Sequence, residues 1–167
     1  FPTNKELQSL PIDTVLVRLD DAISRITEKN EQQVKQALLT TLSRAKSSNN
    51  PLNIAKVYQG MADWHYYSIN SEKIDSIYYY DNLALSMLLK TQEKELICRA
   101  YRSVGMDLED MQKHAKAEEM YFKGLKVAES IGFQSGINSI HSSMSILYSN
   151  TKDYESALKY AKMVVEA

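Results

Sequence analysis

Few side chains in this sequence could do chemistry, and they are scattered. The three histidines, His65, His114 and His141, lie far apart, and none has a second His or Cys four residues away. That spacing is what lets one helix face grip a metal ion. They are expected as packed or surface histidines, with no metal site. The single cysteine, Cys98, has no partner for an internal disulfide and no nearby His in sequence. Arg99 beside it would lower its pKa slightly, but the expected state is a buried thiol. Gly132 and Gly136 are not followed by the Lys-Ser or Lys-Thr that completes a phosphate-cradling loop. The acid pairs Asp20-Asp21, Glu109-Asp110 and Glu118-Glu119 are adjacent, so on a helix they point about 100° apart and cannot face one another as acid and base. They are expected as solvated faces. No set meets the requirement for a nucleophile, a base and an orienting group, so the chain is expected to be neither an enzyme nor a cofactor carrier.

The eleven tyrosines are a richer signal, with Tyr66-Tyr67 and Tyr78-Tyr79-Tyr80 in runs that one apolar stripe cannot bury entirely. Some must face a groove, a neighbour or solvent, either as core tyrosines with surface hydroxyls or as ligand contacts. The rest of the composition bounds the function. Forty-four per cent apolar residues argue for a folded chain, and 20 basic against 21 acidic residues give a net charge of −1. That balance lacks the field expected of a nucleic-acid or anionic-membrane binder. No apolar run approaches the roughly 18 residues of a membrane span, so no direct membrane insertion by this segment is expected. With five Gly and three Pro among 167 residues, helix is favoured over sheet.

The elements that would position these side chains are visible as a repeat. Tyr154, Ala157, Leu158, Ala161, Val164 and Val165 form one helical stripe, and Ala117, Tyr121, Gly124, Leu125 and Ala128 fall at the same phases upstream. The period is about 40 residues. A more divergent copy runs from Asp75 to Leu85, with Ile77 where the others carry Ala. Each stripe follows a partner helix with a large residue, a large-small pair and another large residue. The copies read Tyr58, Met61-Ala62 and His65; Tyr101, Val104-Gly105 and Leu108; His141, Met144-Ser145 and Tyr148. The small residue lets an antiparallel neighbour approach closely. Asn50 before Pro51, and Thr91 before Gln92-Glu93, read as helix starts, and Gly132 as a left-handed helix stop.

This pattern over residues 52–167 resembles the tetratricopeptide repeat. The proline that usually closes each repeat is missing, and the spacing is about 40 rather than about 34, as in the longer-linker variety of bacterial signalling proteins. The resemblance implies an all-α fold, a right-handed α-α superhelix of antiparallel helix pairs, at about 51–90, 91–131 and 132–167, with the array continuing beyond 167. Upstream, Asp13 to about Glu28 and Glu31 to about Ser47 read as two more helices, so 12–50 is a degenerate repeat or a cap. Residues 1–11, with Pro2 and Pro11, read as an extended lead-in. A start at Phe1 and a stop at Ala167 inside a helical pattern read as a fragment or processed product.

In this family the first helix of each pair lines the binding face. The matching positions are Lys56, Gln59, Asp63 and Tyr66; Arg99, Arg102 and Met106; and Ser139, Ser142 and Ile146. The positions that grip a chaperone-tail carboxylate in one subtype carry Gln59 and Asp63, then Arg102 and Met106, so that clamp is not expected. Lys56, Arg99 and Arg102 among Tyr, Met and Ser suggest an extended or helical peptide with some acidic character. The resemblance therefore implies a protein- or peptide-binding module. Its closest likeness is to the periplasmic or extracytoplasmic sensor region of tetratricopeptide-containing histidine kinases, two-component signal-transduction proteins in which a homodimer is one arrangement. A cytoplasmic peptide-responsive regulator and a stand-alone envelope adapter are the alternatives.

Overall fold

The computed structural model describes residues 3–69 and 73–165. All regular structure among them is helical, and the chain divides at Thr91 into two compact units, each with its own core.

The first unit holds α1 (Asn4–Ser9), α2 (Ile12–Ser24), α3 (Glu31–Ser47), α4 (Pro51–Tyr67) and α5 (Lys73–Leu88). Its core comes from the stripes read in the sequence: Leu16, Leu19 and Ile23 of α2 meet Val34 and Leu38 of α3 and Val57, Met61 and Trp64 of α4. Trp64 Nε1 donates to the Glu31 carbonyl at 3.0 Å, so the one indole is buried with its polar edge satisfied. α2 packs against both α3 and α4, and α4 pairs with α5. Asn50 caps α4 as expected, its Oδ1 accepting from the Leu52 and Asn53 amides at 3.0 and 3.2 Å ahead of Pro51 at the first position.

Two local expectations are corrected. The lead-in is not extended throughout: residues 4–9 form α1, because Thr3 and Glu6 make a reciprocal capping box and Leu7 is 2% exposed against the core. Among the described residues there, extended backbone is left to Thr3, at φ −73° and ψ 158°, to Leu10, at φ −71° and ψ 154°, and to Pro11. Arg44 on α3 holds this segment by donating to the carbonyls of Leu7 and Leu10. Phe1 and Pro2 lie outside the described residues. α2 also stops at Ser24 rather than near Glu28, where Asn30 folds back, its Oδ1 accepting from the Thr27 amide at 2.7 Å.

The second unit holds α6 (Lys94–Asp110), α7 (His114–Ser130), α8 (Gln134–Asn150) and α9 (Tyr154–Val165). α6 pairs with α7 and α8 with α9, while α8 also lies against α6 and α7. Val104, Leu108, Tyr121, Ile140, Met144 and Leu147 fill the core. α6 and α7 come close together at Gly105, where an added Cβ would stand 2.4 Å from Tyr121 Cε1. The connections repeat one geometry: Gln112, Gly132 and Lys152 all take positive φ, at 59°, 65° and 65°. At the first of these Lys113 N bonds Leu108 O and Gln112 N bonds Glu109 O, both at 2.8 Å, which closes a helix and starts the next. Thr91 does not cap α6; Glu93 stands at that position, and the Thr91 hydroxyl instead donates to Leu88 O at 2.7 Å, closing α5.

Candidate functional site

In the first unit the binding-face positions gather on α4 against α2. Lys56 is bound to Asp13 at 3.2 Å, so its charge is already answered within the chain. Asp63 is open to water, yet its carboxyl sits where surrounding protein strips hydration. That desolvation, with Asp20 adding repulsion, pushes its pKa up to about 6. Burial also raises Asp20, opposed by Lys56. Asp13, Val17 and Asp20 form one exposed stripe of α2, with Val17 69% exposed. Gln59 is half-buried, and Tyr66 projects at 63% exposure with its ring edge-on to Tyr67. This face is acidic. Lys56 thus stands on this face with an acidic neighbour of its own, Asp13.

The second unit is different. Arg102 on α6 donates from Nε to Ser139 O at 3.2 Å and to Ser143 Oγ at 2.9 Å, so α8 fixes the guanidinium while both Nη groups stay clear of those bonds. Arg99 lies over the Phe133 ring, 5.1 Å from its centroid. Between these residues is a hollow of about 250 Å³, lined also by Cys98, Ser135 and Ser139. Among the described residues no carboxylate lies within ion-pairing distance of either guanidinium. Ser139 and Ser142 turn their hydroxyls onto α8 itself, donating to Ser135 O at 2.7 Å and Asn138 O at 2.9 Å. Met106 and Ile146 are exposed apolar flanks.

The remaining chemistry-bearing side chains are packed. Cys98 is 1% exposed and burial pushes its thiol up, outweighing the lowering by Arg99 and Arg102, so the thiolate that a nucleophile needs is disfavoured. His65 stacks on Tyr80 and His141 tilts against Tyr160, and burial lowers both imidazoles. No group of three or more His, Cys, Asp or Glu suited to a metal ion occurs among the described residues. Of the tyrosine runs, Tyr80 packs on Tyr58 and His65, whereas Tyr66, Tyr67 and Tyr79 stay more than half exposed.

The structure thus joins Arg99, Arg102 and Ser139 into one hollow and places Asp63 opposite Asp20. The sequence reading missed Asp20, taken as a solvated face, and Ser135, Ser143 and Phe133. The four-residue spacing of Ser135, Ser139 and Ser143 along α8 was the available signal, a polar stripe on a helix that must also pack.

No protein-family model and no curated protein matches the chain. Solved structures do. A Signal Transduction ATPase with Numerous Domains protein with a tetratricopeptide repeat sensor, from Pyrococcus horikoshii, is similar at TM-score 0.80 and 17% identity, over 93% of this chain and 23% of that one. BtubC from P. vanneervenii is similar at TM-score 0.75 and 15% identity, over 99% of this chain and 74% of that one. The chain therefore spans less than a quarter of the first neighbour. At these identities the likeness shows the fold, which is an all-α, tetratricopeptide-like array of helix pairs.

Proposed function

We propose that the chain is a protein- or peptide-binding module that senses or docks a partner for a larger bacterial signalling protein. One observation carries the binding role: Arg99 and Arg102 line an open hollow on the α6 and α8 face, with no carboxylate in reach among the described residues, beside the exposed Met106 and Ile146. Charged groups held out toward solvent beside apolar side chains form the mixed surface that captures peptides. The signalling role is supported by the 40-residue style of repeat and by the sensor role that the Pyrococcus horikoshii protein's description gives to its own repeats. Its extension to the extracytoplasmic region of a histidine kinase rests on sequence resemblance.

Peptides selected from a display library, measured by fluorescence anisotropy, test the binding role. Arg99→Glu, at a guanidinium held only by its contact with the Phe133 ring, is expected to weaken them by about ten-fold, or about 1.4 kcal/mol, with helicity and Tm nearly unchanged. Unaltered affinity would assign binding to another surface. The signalling role is tested by sequencing the native reading frame on both sides. A secretion signal upstream, then about 20 apolar residues and a kinase downstream, supports it. A prompt stop or a DNA-binding helix-turn-helix leaves the adapter or the cytoplasmic regulator.

A further inference from the structure

We infer that the hollow between α6 and the start of α8 is a subsite for a phosphoryl group carried on a peptide. Arg102 spends only its Nε on the protein, bonding Ser139 O and Ser143 Oγ, and Ser143 is itself 4% exposed and fixed by its bond to Ser139 O at 3.2 Å. A guanidinium tied through Nε keeps two Nη groups to present together, the fork that matches two oxygens of one anion. Arg99 reaches the same hollow by lying on Phe133, and Phe133 is seated there because Gly136 has no side chain: a Cβ at Gly136 would stand 2.2 Å from the ring.

Charge and donor number then select the ligand. Two guanidiniums face about 250 Å³ of open space, and Glu95, a turn earlier on α6 and felt at Cys98, lies outside ion-pairing distance of both. A carboxylate carries one charge and two oxygens, enough for one fork. A phosphoryl ester carries about −1.5 to −2 and three acceptor oxygens, which can take the Arg102 fork, Arg99 and the Ser135 hydroxyl together. The first turn of α8 adds favourable field: Gln134 N bonds Gly132 O at 2.9 Å, and Phe133 at the cap position offers no side-chain acceptor to the amides that follow. Cys98, the nearest thiol, is buried and stays protonated, so it brings no competing negative charge.

The peptide as carrier rests on the binding role proposed above; the hollow's chemistry does not. The test is an NMR titration of the full chain, following backbone amides and arginine Nε–Hε signals. The probes are a five-residue phosphoserine peptide flanked by alanines, its unphosphorylated and aspartate versions, and inorganic phosphate. The phosphopeptide is expected to give saturable shifts centred on Arg99, Arg102, Ser135 and Ser139, and to bind about ten-fold tighter than the aspartate peptide. Arg102→Gln and Arg99→Gln should each remove most of that advantage; among the described residues Arg99 has no hydrogen-bond partner, so its variant separates ligand loss from misfolding. Equal affinity for the aspartate peptide, or a response unchanged in both variants, overturns the phosphoryl subsite. Inorganic phosphate binding as tightly as the phosphopeptide overturns the peptide carrier. If library peptides lacking phosphate bind while the phosphopeptide does not respond, this inference fails and the binding role stands; if inorganic phosphate binds in the hollow while no peptide of either kind does, the binding role fails and the peptide carrier with it.

Discussion

Asp63 carries a carboxyl that folding makes harder to ionise. Its carboxyl, raised to about 6 by lost hydration first and by Asp20 second, holds a proton in the folded chain at pH values where the unfolded chain, near 3.8, has released it. Stability therefore declines as pH rises from about 4 to about 6 and stays lower above that window. Asp63→Asn is expected to raise Tm at pH 7.5, with the difference closing at pH 4, in thermal melts followed by circular dichroism. Because the residue is open to water, screening limits the size of the gain. Identical melts at pH 7.5 would mean the carboxyl is fully hydrated. Asp63 and Arg102 were both legible as first-helix face positions, but their surroundings were not. Lys56 meets Asp13 across 43 positions of sequence and Arg102 meets Ser143 across 41, and no local pattern encodes such pairs.

At the scale of helices, the small-residue phase was the informative signal, and Gly105 is its sharpest case. With Tyr121 filling the space a Cβ would need, Gly105→Leu overpacks the α6 and α7 crossing and is expected to cost about 1–3 kcal/mol in urea unfolding. A neutral result would misplace the repeat register. The turns carry the opposite opportunity. Gln112 holds φ 59° at an exposed helix stop, a conformation that glycine adopts without strain. Gln112→Gly should gain up to about 1 kcal/mol, read from the urea midpoint, and an unmoved midpoint would show that the turn carries no strain. Gly132 was read as a left-handed stop because its residue type announces it; Gln112 and Lys152 take the same backbone without announcing it. α1 was missed for a related reason. Prolines at 2 and 11 suggested extended chain, while the Thr3 and Glu6 capping box, a short signal three residues apart, set the intervening turn helical.

Across the whole molecule, the two units have separate cores, and the one tryptophan, Trp64, lies in the first. Fluorescence thus reports that unit, while circular dichroism reports helices of both. Helix-pair arrays unfold through nearest-neighbour terms rather than as one block. Gly105→Leu, placed in the second unit, is expected to lower the dichroism midpoint while moving the Trp64 fluorescence midpoint less. Coincident shifts would show a single cooperative unit. The sequence alone determined that the chain is all-helical and built from repeated pairs, because the 3.6-residue apolar period and the small residues at crossings are local properties repeated along the chain. It also placed Arg99, Arg102 and Ser139 away from the apolar stripes of their helices, since helix phase follows from position; that this is a binding face is what the family resemblance implies. Only tertiary structure decided that Lys56 stands beside Asp13, that Asp63 is desolvated beside Asp20, and that Arg102 is held through its Nε. Those outcomes depend on which side chains a second helix brings within a few ångströms, and on how much water that approach removes.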